Sequence, residues 1–242
     1  DPYDATSAPE DVPNYTQEMK QKQTYTIGVP KEYMEGLEPS LQKRIEESLD
    51  VLKQMGHKVK SISLLHPKYD ISVYTILQRA EVSSNLGRYD GIRYGNDRSS
   101  FGKEAKRRIM LGTYTLSVGY YDAFYKKAQK IKTLIIQDLQ KAFADVDVIM
   151  SSPTPVTALK LGEFEKYPFF GETMDVLNEA AAVAGTPAIS VPCGLDKDGL
   201  PVGLQIMGNY FEESRILDLA HQFEQETNFF DVIEKGREKY KS

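Results

Sequence analysis

The sequence predicts an α/β fold on three observations: an opening strand–helix–strand succession, a series of helices after it, and a hairpin of two apolar strands near the end. The opening unit covers residues 25–29, 38–55 and 58–64, and the hairpin strands cover residues 188–193 and 202–207. Two strands joined by a crossover helix are normally parallel, so the opening unit implies a parallel sheet.

The opening part of the chain contains a lead-in, a helix and two strands. Residues 1–22 are acidic and rich in proline, and we expect them to form an extended polar lead-in. The first strand is ended by Pro30. Residues 38–55 carry apolar side chains at helical spacing, and Gly56 follows them as a stop signal. Residues 58–64 alternate between apolar and polar side chains, which is typical of a half-buried strand.

Three helices are predicted in the middle of the chain, over residues 72–88, 103–117 and 119–144. The third has an apolar stripe, which we interpret as core packing rather than as a cofactor site. The residues of this stripe are Tyr121, Phe124, Tyr125, Ala128, Ile131, Ile135, Leu139 and Phe143. A buried strand follows at residues 146–150, and the SSPTP segment from Ser151 leaves its carboxyl end as a loop.

The last part of the chain contains a helix of small residues, the hairpin and an amphipathic helix. We expect the first helix over residues 174–184 and the second over residues 213–227. Residues 196–199 (DKDG) form the turn of the hairpin, because Asp and Gly tolerate the positive φ of a tight reversal. Both hairpin strands have apolar residues at consecutive positions, so we expect both faces to be buried and the hairpin to lie deep in a larger sheet.

The composition is that of an ordinary globular protein. Of 242 residues, 40% are hydrophobic and 27% are charged, and the net charge of -5 offers no general argument for nucleic-acid binding. Cys193 is the single cysteine, which excludes an internal disulfide and suits a reducing compartment. No apolar run approaches the roughly 20 residues of a membrane-spanning helix. We therefore expect a cytoplasmic protein, or one of the mitochondrial matrix in a eukaryote.

The residue types most often used in catalysis do not occur in reactive patterns. Ser83-Ser84 and Ser151-Ser152 lack the strained turn and the adjacent base that activate a serine nucleophile. Cys193 lies within the apolar hairpin, where an inert core thiol is favoured. The three histidines show none of the paired spacings of a metal site, so we expect no metal in this chain.

Two charged residues in apolar surroundings remain as candidates for ligand binding. Arg108 occurs in KEAKRRIMLG, where its guanidinium could bind a carboxylate through two hydrogen bonds or belong to a solvated basic helix face. Asp175 opens the helix of small residues, where it could cap the helix or receive an ammonium group. The residues by themselves favour the cap.

Long motifs are shared with a known family. They are DATSAP from Asp4, EVSSNLGRYDGIRYG from Glu81, FGKEAKRRIMLGTYTLSVGYYDAFYKKAQKIKTLI from Phe101, SSPTP from Ser151, and GTPAISVPCG with PVGLQIMG in the hairpin. On these motifs the chain resembles the C-terminal half of the amidase signature family, nearly from end to end. Within the family, SSNLGRYDGIRYG and GKEAKRRI are most similar to the A subunits of tRNA-dependent amidotransferases.

The resemblance implies a fold, an activity and partners. The family fold is a mixed β-sheet covered by helices, of which residues 1–242 would form the C-terminal half. The A subunit would hydrolyse glutamine and pass ammonia to the B subunit, which amidates glutamyl-tRNA with ATP and Mg. The C subunit would wrap around the A subunit, and tRNA would be reached only through the complex. No cofactor is expected in this chain, and no contact with a membrane.

The resemblance also implies which residues bind the substrate. The family's catalytic Ser-Ser-Lys triad precedes the DATSAP position, so we expect no catalytic residue in this chain and no activity from it alone. Arg108 and Asp175 match the family's contacts to the α-carboxylate and the α-ammonium of glutamine. A third contact would come from Tyr74, but the family's V-Y-Y run is here Val73-Tyr74-Thr75, which leaves that contact open.

Further departures and alternatives remain. The chain is shorter than the family pattern near Asn96 and diverges from it near Glu165, which are the two places where residues would be missing relative to that pattern. One alternative function is an amidase of another small amide, which would need neither Arg108 nor Asp175 if that amide were neutral. Another is a non-catalytic scaffold that binds the B subunit.

Overall fold

A computed structural model describes residues 1–164 and 170–238. The divergence expected near Glu165 lies outside these residues. The strands are β1 (Thr26–Pro30), β2 (Lys58–Ile62), β3 (Val148–Ser151), β4 (Ala188–Leu195) and β5 (Pro201–Met207). The helices are α1 (Tyr15–Glu18), α2 (Lys31–Met34), α3 (Pro39–Gln54), α4 (Lys68–Leu86), α5 (Lys103–Leu116), α6 (Lys127–Phe143), α7 (Phe170–Asp175), α8 (Glu179–Ala184), α9 (Glu213–Thr227) and α10 (Phe229–Glu238). A 3₁₀ turn at Arg98–Ser100 precedes α5, and a π-helical turn at Tyr121–Lys126 precedes α6.

The five strands form one mixed sheet in the order β2-β1-β3-β5-β4. β1 pairs in parallel with β2 and with β3, as the opening strand–helix–strand unit predicts. β5 is antiparallel to both β3 and β4, so the hairpin introduces the change of direction. The mixed sheet covered by helices that the family resemblance implies is therefore confirmed.

Helices cover both faces of the sheet. On one face α3 and α9 pack over the strands, with Ile45 and Phe223 fully buried. On the other face α4, α6 and α8 form a second core that includes Leu77 and Ile135. Neighbouring residues of β3 divide between the two cores, since Met150 faces the first and Ile149 the second. This division explains why all four β3 residues are buried without an alternating pattern.

The predicted extended lead-in is partly wrong. Residues 15–18 form the short helix α1, and the following segment is tied to α9 rather than free. The backbone N–H groups of Lys22 and Gln23 donate to the Asp218 carboxylate at 2.9 and 3.0 Å. The buried Tyr25 hydroxyl donates to the same carboxylate at 2.8 Å. Asp218 thus anchors the lead-in at the start of β1, a long-range contact that local composition does not reveal.

The prediction of a continuous helix over residues 119–144 with a buried stripe is also partly wrong. Ala128, Ile135 and Leu139 are core residues, but the exposed fractions of Tyr121 and Phe124 are 38% and 41%. The π-helical turn holds more residues than an α-helical turn, so it rotates the aromatic part of the stripe away from the core. Several of these rings stack on one another at the surface instead, as Tyr121 does on Tyr125 at 5.1 Å between centroids.

The hairpin forms at the predicted position, but it does not lie deep in the sheet. β4 is an edge strand among the described residues, and Ala188 and Ser190 are exposed on it. Apolar residues at consecutive positions are also compatible with an edge, because periodicity does not say whether a neighbouring strand is present. The turn is as expected: Asp196 accepts hydrogen bonds from the backbone N–H groups of Asp198 and Leu200, both at 2.8 Å, and Gly199 has φ 83°.

Helices α4 and α5 approach each other unusually closely at Gly112. A Cβ atom placed on Gly112 would lie 1.8 Å from the carbonyl oxygen of Arg79 and 2.6 Å from Cβ of Ser83. Only a residue without a side chain permits this approach. The contact sets the relative position of the two helices that carry Tyr74 and Arg108. None of the described helices is both long enough and apolar enough to cross a membrane.

Candidate functional site

The three predicted binding residues lie on three helices that meet on the α4 side of the sheet. Tyr74 is on α4, Arg108 is in the second turn of α5, and Asp175 is the last residue of α7. Asp175 therefore ends a helix, and the prediction that it opens one is wrong. A turn at residues 176–178 interrupts the helical run, and Gln205 donates to the Leu177 carbonyl at 3.1 Å within it.

Arg108 is held in place by charged and polar neighbours. Its Nε donates to Glu104 Oε1 at 2.7 Å, one turn earlier on α5, and about a third of its side chain is exposed. The pKa of Arg108 is raised by the hydrogen bond to Glu104 and also by the Tyr74 side chain, against the effect of burial. Tyr74 and Arg108 are thus neighbours in the folded chain, 34 positions apart in sequence.

Asp175 lies within electrostatic reach of Arg108. Burial raises the pKa of Asp175, the guanidinium of Arg108 lowers it, and the nearby Glu172 raises it again. A cation and a carboxylate that influence each other without forming an ion pair suit a ligand that carries both charges. An amino-acid zwitterion is one class of ligand that carries both charges.

A second group of charges, which the sequence analysis missed, lies beside these three residues. Glu172 Oε1 accepts from Arg79 Nη2 at 2.8 Å and from Arg107 Nη2 at 3.2 Å. Burial would raise the pKa of Glu172, but hydrogen bonds from its own backbone N–H, Arg107 and Arg79 outweigh it, and the pKa is lowered. Arg107 also binds Glu104 through two hydrogen bonds of 2.8 and 3.0 Å. The pKa of Glu104 is lowered to about 2 by Arg107 and Arg108.

Two buried carboxyl groups complete the surroundings. Glu179, one turn beyond Asp175, has its pKa raised to about 7 by burial, Asp175 and Asp70. Asp70 accepts a hydrogen bond from the Tyr33 hydroxyl at 2.8 Å, and burial raises its pKa to about 7 as well. One oxygen of each carboxyl group, Oε2 of Glu179 and Oδ1 of Asp70, is buried without a hydrogen-bond partner. The one available signal in the sequence was an acid inside the run of small residues, EAAAVA.

A cavity of about 390 Å³ opens next to the charged residues. Glu172, Arg79 and Arg107 contribute its charged lining, and the remaining lining residues are the apolar or hydroxyl-bearing Thr75, Ile76, Leu111, Tyr114, Thr115 and Phe124. Arg108 and Asp175 do not belong to its lining, although Arg107 and, one helical turn before Asp175, Glu172 do. The charged pair and the cavity are therefore adjacent parts of one region.

The other candidates of the sequence analysis occupy structural positions. Cys193 is buried and donates to the Val202 carbonyl at 3.5 Å, and burial raises the pKa of its thiol to about 11. Ser151 is buried, Ser152 donates to the Thr154 carbonyl at 2.7 Å, and Ser83 shares a hydrogen bond of 2.7 Å with Thr113. In residues 1–164 and 170–238 no group of three His, Cys, Asp or Glu side chains is placed to hold a metal ion.

Comparison with known proteins identifies the family. The sequence model of the family described as "Amidase" matches residues 1–217, which is most of the chain. The chain is a member of the amidase signature family. Its mixed sheet flanked by helices is a fold shared with solved amidase signature enzymes.

Several relatives within the amidase family have a stated activity. The A subunit of glutamyl-tRNA(Gln) amidotransferase from Brevibacillus brevis is 47% identical over 247 residues, covering 95% of this chain and 50% of that protein. The corresponding protein of Thermoanaerobacter pseudethanolicus is 46% identical over 246 residues, with the same coverage. The chain thus spans about half the length of the curated relatives it matches.

Solved structures of amidase family members have the same fold. The crystal structure of the glutamyl-tRNA(Gln) amidotransferase A subunit from Thermotoga maritima superimposes with a TM-score of 0.67 at 36% identity, covering 84% of this chain and 43% of the other. A bacterial aryl acylamidase of the amidase signature family superimposes with a TM-score of 0.72 at 19% identity, covering 93% and 48%. The second likeness concerns the fold alone.

Proposed function

We propose that this amidase chain forms the glutamine-binding half of the A subunit of a tRNA-dependent amidotransferase. The observation that carries the proposal is that Arg108 on α5 neighbours Tyr74 on α4 and lies within electrostatic reach of Asp175 on α7. The high identity to A subunits over nearly the whole chain supports the choice of glutamine among amides.

The charges of the site match the charges of free glutamine. The Arg108 guanidinium receives the α-carboxylate in competition with Glu104, and the Asp175 carboxylate receives the α-ammonium group. The Tyr74 hydroxyl, beside Arg108, orients the guanidinium or contacts the substrate carboxylate. Binding at these two charges leaves the side-chain amide of glutamine free to extend toward the attacking group.

The chain itself supplies no attacking group in this proposal. Among the described residues no hydrogen bond links a serine hydroxyl to a lysine or histidine side chain that could act as a base. A Ser-Ser-Lys triad, on a segment that precedes residue 1 in the family order, attacks the amide carbon and releases ammonia. This chain is then the C-terminal half of the amidase domain.

The released ammonia is used elsewhere in the complex. The B subunit binds ATP and Mg and converts glutamyl-tRNA(Gln) to glutaminyl-tRNA(Gln), or aspartyl-tRNA(Asn) to asparaginyl-tRNA(Asn). The C subunit contacts the A subunit in a heterotrimer, and tRNA is bound only through the complex. No membrane association enters this role, and we assign the complex to the cytoplasm or, in a eukaryote, to the mitochondrial matrix.

The Arg108→Ala substitution tests the proposal in the natural polypeptide that contains this chain, assembled with its partner subunits. We expect KM for glutamine to rise roughly 10- to 100-fold with a much smaller change in kcat, because a charged hydrogen bond to the bound substrate is lost. Steady-state glutaminase assays measure both constants. Asp175→Asn should act in the same direction.

Lys103→Ala is the matched control, since it removes an exposed cation from the first turn of the same helix. The proposal is wrong if Arg108→Ala leaves KM within about twofold of the unsubstituted protein. Faster hydrolysis of a neutral amide than of glutamine, insensitive to both substitutions, would instead favour the amidase of another small amide. A protein that binds the B subunit but hydrolyses neither would be the non-catalytic scaffold.

A further inference from the structure

Glu172 joins the helices that carry the two charged binding residues. Its Oε1 accepts hydrogen bonds from Nη2 of Arg79 on α4 at 2.8 Å and from Nη2 of Arg107 on α5 at 3.2 Å. Arg79 is the buried end of this arrangement, with 7% of its side chain exposed, and it also donates to the Thr75 carbonyl at 3.2 Å. A hydrogen-bonded ion pair with a buried partner is held more rigidly than an exposed one.

The ion pairs continue from Glu172 to Arg108. Arg107 binds Glu172 on one side and Glu104 on the other, and Glu104 in turn binds Nε of Arg108 at 2.7 Å. Positive and negative side chains therefore alternate from the buried Arg79 to Arg108. The guanidinium of Arg108 is the exposed end of this series, and Glu172 is the carboxylate that binds its buried end, Arg79.

Glu172 is connected to Asp175 through the backbone of α7. The two residues are three positions apart, which places them on the same side of the helix. Among the described residues, the ion pairs that join α7 to other helices both end on Glu172. The position of Asp175 relative to α4 and α5 thus depends on the Glu172 carboxylate.

We propose that Glu172 is a positioning residue that sets the spacing between Arg108 and Asp175, and thereby selects α-amino acids over β-amino acids. This inference rests on the proposed function. In glutamine the carboxylate and the ammonium group share one carbon, whereas β-homoglutamine has an additional methylene group between them. A rigid spacing between Arg108 and Asp175 fits the charged groups of glutamine and disfavours binding of β-homoglutamine. A less rigid spacing reduces this difference in binding.

The test compares L-glutamine with L-β-homoglutamine in the assembled natural protein. Glu172→Gln keeps the size of the side chain but removes its charge, and we expect KM for L-glutamine to rise about tenfold while kcat changes by less than about threefold. The ratio of kcat/KM for L-glutamine to that for L-β-homoglutamine should fall at least about fivefold. A merely structural loss of active protein would lower both kcat/KM values equally and leave their ratio unchanged.

Two further variants make the outcome decisive. Arg107→Gln interrupts the same series of ion pairs at a more exposed residue, since 42% of the arginine side chain is accessible. It replaces Glu172→Gln in the test if that variant does not fold. Glu47→Gln is the control, since it removes the ion pair of 2.6 Å that Glu47 makes with Arg44 on α3. It should leave both the KM and the ratio unchanged.

The results separate this inference from the proposed function. If Arg108→Ala and Asp175→Asn raise KM while Glu172→Gln or Arg107→Gln changes neither KM nor the ratio, the positioning role is wrong and the binding site stands. If Arg108→Ala and Asp175→Asn also leave KM unchanged, the proposed function itself is wrong. A reduced ratio in Glu172→Gln or Arg107→Gln, with Glu47→Gln unaffected, supports the positioning role.

Discussion

Asp70 is a single residue with a large expected effect on the pH dependence of stability. It is 1% exposed, it accepts a hydrogen bond from Tyr33, and burial together with Asp138 raises its pKa to about 7. In an unfolded chain the pKa of an aspartate is about 3.9. Between these two values the folded protein binds a proton that the unfolded chain has released. The contribution of Asp70 to stability is therefore present at acidic pH and is lost as the pH rises toward 7.

Asp70→Asn should reduce this pH dependence. Asparagine keeps an oxygen that can accept the hydrogen bond from Tyr33 and carries no charge at any pH. We therefore expect the effect of the substitution on the free energy of unfolding to be about 1–3 kcal/mol more favourable at pH 8 than at pH 5. Denaturant unfolding between pH 5 and pH 8 measures the change. Asp50→Asn, at an exposed position of α3, is the control. Parallel curves for the Asp70 variant and the unsubstituted protein would show that Asp70 is not the titrating group.

Arg108→Ala and Glu172→Gln also act at the scale of single residues. Arg108→Ala removes a charged hydrogen bond to Glu104, whereas Glu172→Gln weakens two, from Arg79 and from Arg107. Glu179 also contributes to the pH dependence of stability, since its pKa is about 7 as well. The stability of Asp70→Asn should consequently still decrease with rising pH, but less steeply than that of the unsubstituted protein.

At the scale of secondary-structure elements, the contact of α4 with α5 depends on Gly112. An alanine there would place its Cβ 1.8 Å from the Arg79 carbonyl oxygen, a distance that backbone movement must relieve. Because Arg79 is also the buried partner of Glu172, that movement would reach the binding region. The geometry of the site thus depends on the packing of these two helices.

Gly112→Ala should destabilise the protein although alanine is the better helix former. We expect a loss of roughly 2–3 kcal/mol, since the overlap outweighs a gain in helix propensity of about 1 kcal/mol. Denaturant unfolding measures the loss. Gly102→Ala, at the start of the same helix with open space around the added Cβ, should change stability by about 1 kcal/mol at most. Equal stabilities of the two variants would contradict the close approach.

At the scale of the whole molecule, this chain covers about half the length of the curated relatives it matches, and within residues 1–164 and 170–238 β4 lies at an edge of the sheet. Exposed edges favour pairing with further strands. Aromatic side chains of the π-helical turn, such as Tyr121 and Phe124, are exposed as well. Both features suit a chain that works together with a further part of the amidase domain.

The 242-residue chain by itself should not hydrolyse glutamine. We propose that the chain contains the binding residues, whereas the attacking hydroxyl and its base belong to another segment. Incubation of the purified chain with glutamine, followed by quantification of glutamate and ammonia, tests this expectation. The reference is the same chain co-expressed with the segment that precedes it in the natural gene. Hydrolysis by the chain alone that disappears on substitution of one of its own serines would contradict it.

Much of the fold follows from local pattern. The apolar spacing of residues 38–55 and 213–227 predicted α3 and α9 closely, and the DKDG turn predicted the hairpin. Less local features were missed: the edge position of β4, the π-helical turn before α6 and the interruption after Asp175. These features depend on which distant segments pack against an element, as the Leu177 carbonyl depends on Gln205, and local periodicity does not show this.

The sequence by itself determined the fold class, the family and the identity of Arg108 and Asp175 as candidates, because helical and strand periodicity and long shared motifs are properties of neighbouring residues. Only the tertiary structure decided that Arg108 lies beside Tyr74 and within electrostatic reach of Asp175, and that ion pairs link Arg108 through Glu104, Arg107 and Glu172 to Arg79. The reason is physical: ion pairs, burial and raised pKa values arise between side chains that folding brings together from positions as distant in sequence as those of Arg79 and Glu172.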